Sequence, residues 1–170
     1  MSKIIESLRK YSEENKYTLT KEDSSTIMAI HFTGVNGHIN TIVVADTHDK
    51  WLQVSSNVSL SFSKNQIVEL YALTNRINLI TYRLKLMINT DETAVISESS
   101  IPFSRFDGDF GSFIESNAST FDFYLPVYYA VAYGGKSVEE AMDGLVELYY
   151  EEEIEESKNE PPNQTPLRQA

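Results

Sequence analysis

Between Ser63 and Ser100 the apolar residues change their period, and that change limits the folds open to the chain. Ile67, Leu70, Tyr71, Thr74 and Ile77 recur at helical steps, with Val68, Leu73 and Ile80 widening the stripe. Ser63 and Gln66 have capping-box spacing, and Phe62 and Ile67 can close a hydrophobic staple around the same helix start. A stripe this wide predicts a helix covered on more than one side. Directly after it, Tyr82, Leu84, Leu86 and Ile88 alternate with Arg83, Lys85, Met87 and Asn89, as in a half-buried strand. Asn89 to Glu92 supply turn residues, and Ala94 to Glu98 read as the returning strand.

The flanks extend this pattern. Residues 2–15 place Ile4, Ile5, Leu8 and Tyr11 on one side of a helix. Residues 26–33, Ile39 to Ala45 and Trp51 to Phe62 read as three strands. Asn36-Gly37 predicts a tight hairpin between the first two, with both turn residues at positive φ. Phe110 to Ala132 recur at helical spacing, with Asp109 as the cap and Pro126 expected to kink or split the helix. Gly134 is expected to close it in the left-handed conformation, and Ser137 with Glu140 to cap a last helix. The expected architecture is therefore α+β, an antiparallel five-stranded sheet in the order α-βββ-α-ββ-α-α. Residues 1–150 are read as a single domain, and 151–170 as an acidic helix end with a disordered tail bearing Pro161, Pro162 and Pro166.

Charge and composition narrow the chemistry. The net charge is −11, and residues 139–160 carry ten acidic side chains against one Lys, a net of −9. No basic face stands out, so the expectation is no nucleic-acid partner. The chain has no cysteine, which excludes disulfides, thiolate nucleophiles and Cys-type metal centres. The charged N-terminus does not read as a signal peptide, and no apolar run approaches bilayer length, so a cytoplasmic protein without membrane contact is expected.

Three stretches resemble the YbjN-like family. They are Leu73-Thr74-Asn75-Arg76-Ile77-Asn78 leading into Tyr82 to Leu86, then Val95 to Phe103, then Tyr133 to Ala141. With the element order they cover roughly residues 3–145. The resemblance implies the type III secretion chaperone-like fold. It also implies a sensory or stress-linked regulator with no established reaction. Secretion chaperones of this fold bind extended partner segments as homodimers, so the resemblance further implies protein binding and a homodimer.

No constellation in the sequence points to catalysis, a cofactor or a metal. His31, His38 and His48 lack further ligands at a recognisable spacing and read as scattered surface histidines. Asp107-Gly108-Asp109 reads as a turn and cap rather than a cation loop. Gly134-Gly135-Lys136-Ser137 echoes a phosphate loop, but it follows a helix and has Ala130 where the first glycine would stand, so it reads as a helix cap. The six aromatic residues between Phe121 and Tyr133 read as core packing rather than a ligand platform. The expected function is a non-enzymatic protein-binding module, an adaptor, chaperone or regulator. Its interface candidates are Ile67, Leu70, Tyr71 and Ile77 on the central helix and Glu151, Glu152 and Glu153 in the acidic stretch. Two alternatives are a small-ligand sensor or weak enzyme, with a pocket between the sheet and helix 113–133, and an immunity-type or structural component acting through the acidic tail.

Overall fold

A computed structural model describes residues 3–82, 84–89, 91 and 93–145. Helix α1 (Lys3–Asn15) leads into strands β1 (Leu19–Glu22), β2 (Ser25–Thr33), β3 (His38–Asp46) and β4 (Trp51–Ser59). Helix α2 (Ile67–Ile80), strands β5 (Lys85–Ile88) and β6 (Ala94–Pro102), a 3₁₀ turn (Phe103–Arg105) and helix α3 (Phe110–Ala132) follow. Residues 138–145 are again helical. The architecture is α+β, and the antiparallel sheet has six strands in the order β1-β2-β3-β4-β6-β5. Five strands were expected, in a βββ run before the central helix; the run has four. The added strand, β1, is an edge strand of four residues with only Leu19 half-buried, so its sequence carries no alternation. Its backbone pairs with β2 in the register Leu19↔Met28 to Glu22↔Ser25, across a turn in which Asp23 takes φ 45°. Backbone pairing, not side-chain burial, makes this strand.

The helices gather on one face of the sheet. Side chains of one phase of β2, β3, β4 and β6 are buried, and those of the other phase are exposed or half-buried. Beneath the helices lie two apolar clusters. One joins α1 and the start of α3 to Met28, Ile30, Val43, Ala45, Leu52 and Val54. The other joins α2, the rest of α3 and the 138–145 helix to Ile39, Val58, Leu60, Leu86 and Val95. A polar row crosses the buried face between them: Thr41 on β3 pairs with Ser56 on β4, which pairs with Ser97 on β6. Asn117 of α3, 2% exposed, comes down onto this row. Its Oδ1 accepts from Ser56 Oγ at 2.7 Å and Ser97 Oγ at 3.0 Å, and its Nδ2 donates to Ser99 Oγ at 2.9 Å. Thr41 Oγ1 and Ser56 Oγ lie 2.7 Å apart. Among the described residues no buried side-chain N or O atom is left without a partner. A row this well satisfied fixes where α3 sits, because a slip by one turn would strand several buried polar groups at once.

Pro126 produces a second lock. It lies inside α3, which runs through it as one helix of 23 residues rather than splitting. A proline lacks the N–H that would bond the carbonyl of Asp122, four residues earlier. Asn36 Nδ2, from the β2–β3 loop, donates to that carbonyl at 3.1 Å. The Asp122 carboxylate accepts from Val35 N at 2.9 Å and Asn36 N at 3.1 Å. The loop is consequently not the tight turn expected from Asn36-Gly37. It spans Gly34 to Gly37, closed by Gly34 N donating to Gly37 O at 2.8 Å, and neither Asn36 nor Gly37 has positive φ. The buried carboxylate sets the loop's shape, and a Cβ on Gly34 would overlap it. At the end of α3 the left-handed residue is Gly135 (φ 63°), not Gly134. Gly134 instead passes against the backbone of Ala130, where a Cβ would sit 2.7 Å from the Ala130 carbonyl oxygen.

Candidate functional site

Helix α2 is fastened to the molecule at three levels. At its start, Ser63 N donates to Gln66 Oε1 at 2.8 Å, the reaching-back half of the expected capping box. The other half does not form: Gln66 is itself the N-cap, and its Nε2 donates to the carbonyls of Val131 and Ala132 at the end of α3. Those are free terminal carbonyls, so the glutamine that begins α2 also closes the end of α3. Midway, Thr74 Oγ1 lies 2.9 Å from the Tyr128 hydroxyl, which burial holds well above the usual tyrosine range. Near the C-terminus, Asn78 accepts from Leu86 N and donates to Leu86 O, each at 2.8 Å. The asparagine thereby occupies the outer edge of β5 in the way a neighbouring strand would.

These fastenings decide which residues of α2 face out. Leu70, Leu73, Thr74 and Ile77 are buried in the chain's own core, and Ile67 is half-buried. Tyr71 lies on the outer side with Val68 (69% exposed), Leu79 (82%) and Ile80. Tyr82, just beyond the helix, is 95% exposed. Within this chain α2 is therefore covered on one side, and its other side carries large apolar groups to solvent. Of the four residues singled out on the helix, the structure brings Leu70 and Ile77 together inside and leaves Tyr71 outside. Val68 and Ile80 were legible as the widening of the stripe; Leu79 and Tyr82 were not singled out. Glu151, Glu152 and Glu153 lie outside the described residues.

The remaining candidates resolve locally. His31 Nδ1 lies 2.7 Å from Asn40 Oδ1, His38 Nδ1 3.3 Å from Thr33 Oγ1, and His48 Nδ1 2.8 Å from Asp49 Oδ1. The three rings have three different partners. Among the described residues no three His, Cys, Asp or Glu side chains gather as metal ligands. Asp109 caps α3, accepting from Ser112 N at 3.0 Å and Ser112 Oγ at 2.6 Å; these bonds lower its pKa. Ser137 and Glu140 make the expected capping box, with Ser137 N donating to Glu140 at 2.8 Å and Glu140 N to Ser137 Oγ at 3.3 Å. Phe121, Leu125 and Tyr128, in the middle of α3, are fully buried. A cleft of about 720 Å³ runs between α1 and β1–β2, and one of about 530 Å³ lies between β6 and the start of α3, lined by Ser99, Ile101, Arg105, Asp107, Phe113 and Ser116.

No protein-family model and no curated protein sequence matches the chain. Among solved structures, YbjN from E. coli, a candidate transcription regulator, aligns with a TM-score of 0.50 at 14% identity, over 71% of this chain and 87% of that one. The chain has a YbjN-like fold. A chain of the HopA1–SchA chaperone–effector complex aligns over 69% of this chain and 88% of that one, with TM-score 0.47 and 13% identity. In this YbjN-like fold the outward side of α2 exposes several large apolar groups, Val68, Tyr71 and Leu79. No helix among the described residues is long and apolar enough to cross a membrane.

Proposed function

We propose that this chain is a non-enzymatic protein-binding module, acting as an adaptor, chaperone or regulator through the outer side of α2. The observation that carries the reading is the exposure of Val68, Tyr71 and Leu79, with Ile80 and Tyr82 exposed at the helix end, on a helix held in place at three points. Large apolar groups exposed on one helix favour a protein partner, because covering them removes apolar surface from water. Fastening the helix lowers the ordering cost of binding. The partner is a second copy of this chain, giving a homodimer, or another protein with an apolar groove. The acidic composition argues against nucleic acid on this face. Glu151, Glu152 and Glu153 are proposed as a second, electrostatic contact.

Sedimentation of the purified chain at micromolar concentration tests the homodimer; a monodisperse monomer removes it. Affinity capture by the full chain and by a chain truncated after Leu145 separates the two contacts. A partner held by both forms at high salt belongs to the folded surface, and one held only by the full chain at low salt belongs to the acidic stretch.

A further inference from the structure

Helix α1 is attached to the molecule by a different kind of bond from α2 and α3. Among the described residues, every hydrogen bond and ion pair of α1 stays within residues 3–17. Ser12 Oγ donates to Arg9 O, Asn15 Nδ2 to Tyr11 O, Tyr17 N to Ser12 O, and Lys10 pairs with Glu14. What holds it to the sheet is the burial of Ile5 and Leu8, with Ile4 and Tyr11 partly buried and the Tyr11 ring 5.9 Å from that of Phe110. One flank stands off from the sheet: the cleft of about 720 Å³ has Ile5, Arg9 and Glu13 on one wall and Leu19, Thr20 and Thr26 on the other. The link to β1 is only residues 16–18, and Lys16 takes φ 60° there, so one backbone position turns the chain.

On these grounds we propose that α1 is a cover that opens on its own. It leaves the sheet and loses its helix in one local event, while the polar row, α3 and α2 stay in place. A detached helix of 13 residues is marginal in water, so release and melting coincide. The opened state bares the apolar cluster of Met28, Ile30, Val43, Ala45, Leu52 and Val54. The rest of the fold survives because the second cluster lies beyond the Thr41–Ser56–Ser97 row, and Asn117 holds α3 to that row independently of α1. The charged outer side of α1, with Glu6, Lys10 and Glu14, is that of an element that can stand in water. This proposal is independent of the binding surface on α2.

Native-state hydrogen exchange of the full chain tests it. Amides of residues 7–15 should exchange at least about 100-fold faster than those of 114–125. Their rate should also depend weakly on added urea, since local opening exposes little surface. A Leu8→Ala variant should speed exchange in α1 about tenfold or more and leave 114–125 unchanged. Should that variant fail to fold, single thiols placed in the otherwise cysteine-free chain take its place. Ala45→Cys should react with a thiol reagent much faster than Ala132→Cys, although both sites are buried. Equal exchange of α1 and α3 with the same urea dependence, or equal labelling of the two thiols, overturns the proposal.

Discussion

Helices α1 and α2 are nearly the same length, 13 and 14 residues, and each presses one apolar side inward. They are finished in opposite ways. The outer side of α1 is charged and its inner side is held by apolar contacts alone. The outer side of α2 exposes Val68, Tyr71 and Leu79 among Glu69, Asn75 and Arg76, and hydrogen bonds from Gln66, Thr74 and Asn78 hold its inner side to α3 and β5. Hydrophobic contact is non-directional and tolerates movement, whereas a satisfied polar contact specifies one position. The difference teaches that the rigid helix carries the unfinished surface, and that the helix free to leave carries a finished one. A surface meant for a partner gains from a fixed frame, and a cover gains from water-compatible charge.

The predictions test this contrast, beginning with the largest effect. Ile77→Ala removes a fully buried side chain of α2 and should cost about 3 kcal/mol of global stability by urea unfolding. A loss confined to α2, with the sheet and α3 intact, would break the contrast. Asn117→Ala removes the acceptor of Ser56 and Ser97 in the buried polar row and should cost about 2 kcal/mol. It should also reduce exchange protection in α3 more than in α1. Asn78→Ala bares the N–H and C=O of Leu86 and should cost about 1 kcal/mol, with faster aggregation as the β5 edge opens.

The pH dependence is smaller. Hydrogen bonds to Ser112 and Ser137 lower the pKa of Asp109 and Glu140. Their support of α3 and of the 138–145 helix is therefore complete above the ordinary carboxylate range. It is lost as pH falls through the depressed values. Unfolding midpoints of the chain and of Asp109→Asn should converge on acidification; a gap that widens toward acid would contradict the capping role.

The helix–hairpin core, the span of α3, the Asp109 cap and the Ser137–Glu140 box were legible because each depends on neighbours within a few residues. The lost features depend on partners far along the chain. Strand β1 has no alternation and exists by pairing with β2. Ser56 and Thr41 sit in phase with buried residues, but their meaning comes from Asn117, 61 residues beyond Ser56. The Asn36-Gly37 turn was misjudged because Asp122, 86 residues beyond Asn36, shapes the loop. Gly134 was assigned the wrong conformation because its close approach to Ala130 is a packing matter, and Gly135 supplies the turn. In the candidate site, periodicity identified the stripe on α2 but not which half of it the core would claim. That depends on how α3 and β5 seat the helix.

The outer side of α2 is tested most directly by comparing the chain with a Val68→Glu, Leu79→Glu variant whose fold has been checked by circular dichroism. Both residues are exposed, so the variant should unfold within about 0.5 kcal/mol of the original. Tagged forms of each would be used for capture from the protein's own cell extract at high salt, with an untagged copy present. The account predicts that the original retains a partner, its own copy or another protein, and that the variant does not. Equal retention by both forms, or retention by neither, would contradict it.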